Sequence, residues 1–64
     1  MRILGIDPGL ASTGYGLIEV VDRGFEAVEG GVVRTKSTEP MEERLFSIYK
    51  VIRDVIEEFK PEAV

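Results

Sequence analysis

The run Arg2-Ile3-Leu4-Gly5-Ile6-Asp7, stopped at once by Pro8-Gly9, constrains this chain more than any other stretch. In an extended strand side chains alternate, so Ile3, Gly5 and Asp7 share one face and Arg2, Leu4 and Ile6 the other. Apolar residues on both faces predict a strand covered on both sides, in the middle of a sheet. Pro8 fixes its own backbone and holds Asp7 in an extended conformation. A carboxylate therefore stands at the C-terminal end of a central strand. The chain has 64 residues with which to cover it. A domain of that size buries only about 60% of its unfolded surface. Burial and chain entropy nearly cancel unless a staple helps. There is no Cys to form a disulfide or a thiolate metal site.

Thr13–Val21 reads as a second strand, with Tyr15, Leu17, Ile18, Val20 and Val21 as its apolar members. Asp22-Arg23-Gly24 reads as a three-residue hairpin with Gly24 in the left-handed position. Phe25–Arg34 is the third strand, and Gly30-Gly31 inside it marks an expected bulge. Residues 2–34 are thus expected as an antiparallel three-strand meander. Thr35–Glu39 is a polar connector, and Pro40 opens a helix over about residues 40–60, where its missing N–H does no harm. Met41, Leu45, Ile48, Ile52, Val55, Ile56 and Phe59 recur at spacings of three and four and predict the face turned to the sheet. Arg44, Lys50, Arg53, Asp54, Glu57 and Glu58 fall on the solvated side. Glu39, Glu42 and Glu43 suit the positive end of the helix dipole, which explains them better than a metal cluster does. Lys60 closes the last turn and Pro61 ends it. Glu62-Ala63-Val64 then begins a further apolar run, expected as a fourth strand parallel to the first. The order β-β-β-α-β is that of a mixed α/β sheet. With the fourth strand only begun, the first is expected to keep an open edge. Residues 1–64 are therefore expected to be the N-terminal part of a single larger domain.

Composition narrows the chemistry. A hydrophobic fraction of 44% and a charged fraction of 31% suit a globular chain. No apolar run approaches the roughly 18 residues of a membrane span. The N-terminus meets an acid and a Pro too early for a signal peptide, so a cytoplasmic protein with no membrane contact is expected. Without His there is no imidazole base and no His-based triad. A net charge of -4 argues against a stand-alone nucleic-acid binder. It leaves room for an enzyme that holds cations between carboxylates and a phosphate.

The segment Gly5-Ile6-Asp7-Pro8-Gly9-Leu10-Ala11-Ser12-Thr13-Gly14-Tyr15-Gly16 carries the chemistry. Asp7 at a rigid strand end is a good hard-cation ligand, because Mg²⁺ takes one or two carboxylates plus phosphate and water. Gly14 and Gly16 open the return strand beside it; they either let a phosphate come close or relieve crowding between twisted strands. Ser12 and Thr13 read first as turn and strand-start residues, and only second as phosphate contacts. Tyr15 reads as packing rather than a base-stacking platform. Arg34 and Lys36 flank the polar connector, and a solvated loop explains them before contact with DNA phosphates does. Met41, Phe46, Tyr49 and Phe59 read as helix-to-sheet packing, with a dimer face as the alternative for Phe46 and Tyr49.

This block, with Ile3–Ile6 before it and Arg44-Leu45, Ile48-Tyr49 and Pro61-Glu62-Ala63-Val64 after it, resembles the N-terminus of the RuvC family of bacterial Holliday-junction resolvases. The likeness covers essentially the whole chain. It implies an RNase H-like α/β fold, here the β-β-β-α part and the start of the fourth strand. It implies a homodimeric, Mg²⁺-dependent endonuclease that makes paired nicks across four-way junction DNA in recombination and repair. It also implies the RuvAB branch-migration complex as a partner and Mn²⁺ as a substitute metal. The family's catalytic set is four carboxylates holding two metal ions; the one that ends the first strand corresponds to Asp7, as catalytic residue and metal ligand. The other three are expected beyond Val64, so the 64-residue piece alone is expected to be inactive.

Two other classes stay open on the residues. Actin-like ATPases and sugar kinases also begin with a strand, an acid and a Gly-containing hairpin that holds phosphate. Their usual pattern puts hydroxyl residues directly after the Gly, where this chain has Leu10 and Ala11. A non-catalytic RNase H-like binding module is the other, against which Asp7 itself speaks.

Overall fold

The computed structural model describes residues 1–64. Period-two alternation with turn residues at its breaks gives three strands, β1 (Arg2–Asp7), β2 (Ser12–Val21) and β3 (Gly24–Arg34), and the three-and-four spacing gives one helix, α1 (Met41–Phe59). The strands form one antiparallel sheet in the order β1-β2-β3. Arg2 pairs with Glu19, Leu4 with Leu17, Gly5 with Gly16 and Asp7 with Gly14. On β3, Val33 pairs with Thr13 and Val32 with Gly14.

Opposed residues share a face, so the register sorts the sheet into two sides. Leu4 and Leu17 point to the helix and form the core with Val55; Tyr15, Ile52 and Phe59 pack against them. Leu4 is 1% exposed and Leu17 0%. The opposite face carries Ile3, Gly5 and Asp7 of β1 beside Ile18, Gly16 and Gly14 of β2. No element of the chain lies over it, since the only helix is on the other side. The expectation that β1 is covered on both faces therefore holds for one face alone.

The start of the fourth strand lies where expected. Ile3 and Ala63 form a parallel bridge. The Leu4 N–H donates to Ala63 O at 2.9 Å and the Glu62 N–H to Arg2 O at 2.9 Å. The N-terminal half of β1 is thus flanked on both edges, while Gly5 to Asp7 keep one edge free.

Four local expectations are corrected. The β2–β3 hairpin has a two-residue loop, Asp22-Arg23, because Gly24 already pairs with Val21. Gly24 has φ +153°, extended but on the positive side that glycine reaches without strain. The bulge falls at Val28, between the pairs Leu17–Glu29 and Ile18–Ala27, and not at Gly30-Gly31. Both glycines stay in register, and Gly31 has a different reason to be glycine. The Tyr15 ring lies over Gly31 so closely that a Cβ there would come within 2.6 Å of its hydroxyl oxygen. The third correction concerns α1. Ile48, Val51, Ile52, Val55 and Phe59 turn towards the sheet, while Met41, Leu45, Phe46, Tyr49 and Ile56 stay exposed. The apolar arc is wider than the narrow sheet beneath it. Its surplus flank overhangs the free edge of β1 as a groove of about 670 Å³, lined by Ile6, Leu10, Leu45, Tyr49, Ile52 and Ile56 among others. The fourth is Arg44, half-buried against the β3 end and not on the solvated side.

The helix ends are closed by neighbours. Pro40 O accepts from the N–H groups of Glu43 and Arg44, both at 3.1 Å. At the other end Lys60 takes a left-handed turn, φ 48°, and donates its N–H to Ile56 O. The last turn of α1 has no basic residue of its own. Arg2 reaches over from β1 instead and donates from Nη1 to Phe59 O at 2.9 Å, which places a cation at the negative end of the dipole. The helix is neither long nor apolar enough to cross a membrane.

Candidate metal-binding groove at the end of the first strand

Asp7 is the last residue of β1 and its side chain lies on the uncovered face. It is exposed and enters none of the chain's ion pairs. Beside it an open groove of about 560 Å³ runs along the sheet, lined by Ile3, Gly5, Asp7, Gly14, Gly16 and Ile18 among others. Gly5, Gly14 and Gly16 make its floor a surface without side chains. Crowding does not require glycine there. A Cβ on Gly16 would meet nothing within 4 Å, and one on Gly14 would sit 3.7 Å from the Asp7 Cβ, an ordinary contact. Side chains at these positions would fill the space in front of the carboxylate instead.

The loop from Pro8 to Ala11 carries the chain from β1 into β2, and it is tightly held. Gly9 comes so close to the Ser12 carbonyl that a Cβ would lie 2.5 Å from that oxygen. The Thr13 hydroxyl, on a side chain only 3% exposed, donates to Gly9 O at 2.6 Å. The Thr35 hydroxyl donates to Leu10 O at 2.6 Å. The Thr35 N–H donates to Ala11 O at 3.0 Å. Arg44 of α1 donates from Nε to the Thr35 hydroxyl oxygen at 2.9 Å. Three successive carbonyls of the loop thus each have a donor.

The remaining sequence candidates separate. Ser12 is exposed and pairs with Arg34, one row beyond Asp7 on the same face. Arg34 is the last residue of β3, where the expected strand ends. Lys36 follows it; its N–H donates to Glu39 Oε1 at 2.8 Å, so Glu39 caps a turn ahead of the helix. Phe46 and Tyr49 stack with centroids 6.3 Å apart on the exposed side of α1, with Lys50 over the Phe46 ring and Arg53 over the Tyr49 ring. No three Asp, Glu, His or Cys side chains converge anywhere in the chain. Asp7 fits a divalent cation as one hard oxygen ligand beside open space, and by itself is not a complete site. Thr35 and Arg44 had no functional reading in the sequence. The signal available for them was the stripe 44, 48, 51, 55, which puts Arg44 on the sheet side of the helix.

A strand, a carboxylate at its end, a return hairpin and a crossing helix define the opening of an RNase H-like α/β unit, and comparison with known proteins makes the assignment specific. The family model described as "Crossover junction endodeoxyribonuclease RuvC" matches residues 3–64. The chain belongs to the RuvC family. It is 48% identical over 62 residues to the crossover junction endodeoxyribonuclease RuvC of Synechococcus sp. (strain WH7803), covering 97% of this chain and 40% of that protein. With the protein of that name from Geobacter sulfurreducens it is 44% identical over 64 residues, covering 100% of this chain and 39% of the relative. Among solved structures, Thermus thermophilus RuvC matches with TM-score 0.95 and 37% identity, over 100% of this chain and 40% of that one. The same protein in complex with Holliday junction substrate matches with the same TM-score, over 41% of its length. The chain thus spans about 40% of the length of the curated relatives it matches.

Proposed function

We propose that this chain is the N-terminal part of a single RNase H-like nuclease domain, and that the intact protein resolves four-way DNA junctions by metal-dependent paired nicking. The observation that carries this reading is the Asp7 carboxylate, free of ion pairs, at a rigid strand end above a floor of Gly5, Gly14 and Gly16. The likeness to Thermus thermophilus RuvC in complex with Holliday junction substrate supports the choice of DNA. Asp7 is the catalytic residue and metal ligand that these residues contribute. Two Mg²⁺ ions, or Mn²⁺ in their place, supply a nucleophilic water and a stabilised leaving oxygen when bound. Asp7 holds its charge at a fixed point, and the bare floor admits a backbone phosphate without a steric barrier. One carboxylate does not hold ions ~3.5–4 Å apart, so the 64 residues alone do not cut DNA. On the same reading the intact protein acts in the cytoplasm as a homodimer, alongside the RuvAB branch-migration complex.

The kinase-like alternative needs a hydroxyl free to meet phosphate in the loop after the strand. The residues directly after Gly9 are Leu10 and Ala11, and of the later hydroxyls Thr13 is buried and committed to Gly9, which leaves the exposed Ser12 alone. The deciding experiment offers the intact protein a synthetic four-way junction with Mg²⁺ and, in parallel, Mg-ATP. The proposal expects paired nicks in the junction and no ATP turnover. ATP hydrolysis without cleavage would reverse the assignment.

A further inference from the structure

Four hydrogen bonds behind the Asp7 loop have no counterpart in the chemistry so far. All lie on the helix side of the sheet, the side away from the carboxylate. Thr35 Oγ1 has one proton and Arg44 Nε points its own proton at that oxygen, 2.9 Å away. Arg44 can only donate, so the Thr35 proton must go elsewhere, and it goes to Leu10 O at 2.6 Å. The charged donor polarises the hydroxyl and strengthens the second bond. The Thr35 N–H holds Ala11 O, and Thr13 holds Gly9 O. Loop residues 9–11 are thereby tied to β2 by Thr13, to the end of β3 by Thr35 and, through Arg44, to α1. A surface loop of this kind ordinarily leaves such carbonyls to water. Both threonines are donors to backbone rather than to any group in the groove, so their effect must pass through the loop to the residue before it.

We infer that Thr35 and Arg44 are positioning residues for metal binding at Asp7: they lock the loop that follows the ligand, and so fix the direction of its carboxylate. The inference rests on the proposed metal-ligand role of Asp7. Groups that orient a ligand from behind cost about 10-fold in metal affinity or activity when removed, at the low end of their range.

The test uses the intact protein and reads metal binding without DNA, by Mn²⁺ titration followed by electron paramagnetic resonance. Thr35→Val removes the hydroxyl at nearly constant shape. It is expected to weaken Mn²⁺ binding about 10-fold and to raise the Mg²⁺ needed for half-maximal cleavage in step. Junction binding in EDTA should stay near wild type, the thermal midpoint should fall by only a few degrees, and Thr35→Ser should restore the metal affinity. Arg44→Met, which keeps the apolar stem and loses the donor, should shift metal affinity in the same direction and covers the case of a poorly folding Thr35→Val. Asp7→Asn runs alongside. If Asp7→Asn loses Mn²⁺ binding while Thr35→Val and Arg44→Met keep it, the positioning role is wrong and the ligand stands. If Asp7→Asn binds Mn²⁺ like wild type, the ligand assignment has failed and the positioning role with it.

Discussion

At the scale of single residues, the clearest constraint is the room left around the Asp7 loop. Gly9 faces the Ser12 carbonyl, which cannot swing aside like a side-chain end. Gly9→Ala is therefore expected to destabilise by about 1–3 kcal/mol, read by thermal or denaturant unfolding, as overpacking of a tight site does. An unchanged midpoint would show that the loop yields easily. Asp7 was legible in the sequence because everything that places it is local: an apolar run, a Pro that holds it extended, and a turn. Thr35 and Arg44 were not, because their roles depend on where a helix comes to lie over a loop more than twenty residues away in the chain. A second charge site is also residue-scale. The Met1 ammonium donates to Glu19 Oε2 at 2.7 Å, with Arg2 Nε at 3.4 Å from the other oxygen. The hydrogen bond to Glu19 raises the amine above its ordinary 8.0, and the same bond lowers the Glu19 carboxyl below its ordinary 4.5. A raised amine stabilises below its unfolded value and loses that contribution as pH climbs through the folded one. A lowered carboxyl stabilises above its unfolded value and loses it as pH falls through the folded one. The clamp is thus fullest between 4.5 and 8.0. Both groups are solvated, so the effect is small. Glu19→Gln should flatten both flanks of the midpoint-against-pH curve relative to wild type; parallel curves would contradict the clamp.

At the scale of elements, the helix shows how far periodicity carries. The three-and-four spacing gave the right element and the right side, but an arc too wide by Met41, Leu45 and Ile56 and short of Val51. Spacing reports which residues share a side; the width of the sheet beneath decides how many of them it can cover. The C-terminal end is a similar case. Lys60 occupies a left-handed position, which costs a residue with a Cβ more than it costs glycine. Lys60→Gly should raise stability by about 0.5–1 kcal/mol, seen as a higher thermal midpoint. A lower midpoint would mean that the lysine stem contributes more than its backbone costs. In the hairpin, the glycine pair was read as a bulge because glycine in a strand has two uses, and only the fold distinguishes them. Here Gly31 makes way for the Tyr15 ring, while a Cβ on Gly30 would make only an ordinary contact, 3.5 Å from the Tyr15 carbonyl oxygen.

At the scale of the whole molecule, the sheet has one dressed face and one bare one. Five of the 64 residues are buried, and four of them are apolar. Phe25 is 69% exposed and Val32 53%, both on β3, while Phe46 and Tyr49 lie open on α1. So much solvated apolar surface on so small a core is a source of association. The 64-residue chain in isolation is expected to self-associate, and sedimentation of a well-folded, strictly monomeric species would contradict this. The β-β-β-α order and the pairing of residues 62–63 with β1 were legible because strand and helix signals alternate cleanly along the chain. A complete metal site was not, because nowhere in the chain do three metal-ligating side chains converge. The role of Asp7 is tested most directly by cleavage of a synthetic four-way junction by intact wild-type and Asp7→Asn proteins in Mg²⁺, with junction binding measured on the same samples. Asp7→Asn is expected to bind the junction like wild type and leave it uncut. Cleavage at the wild-type rate by Asp7→Asn would show that this carboxylate holds no catalytic metal.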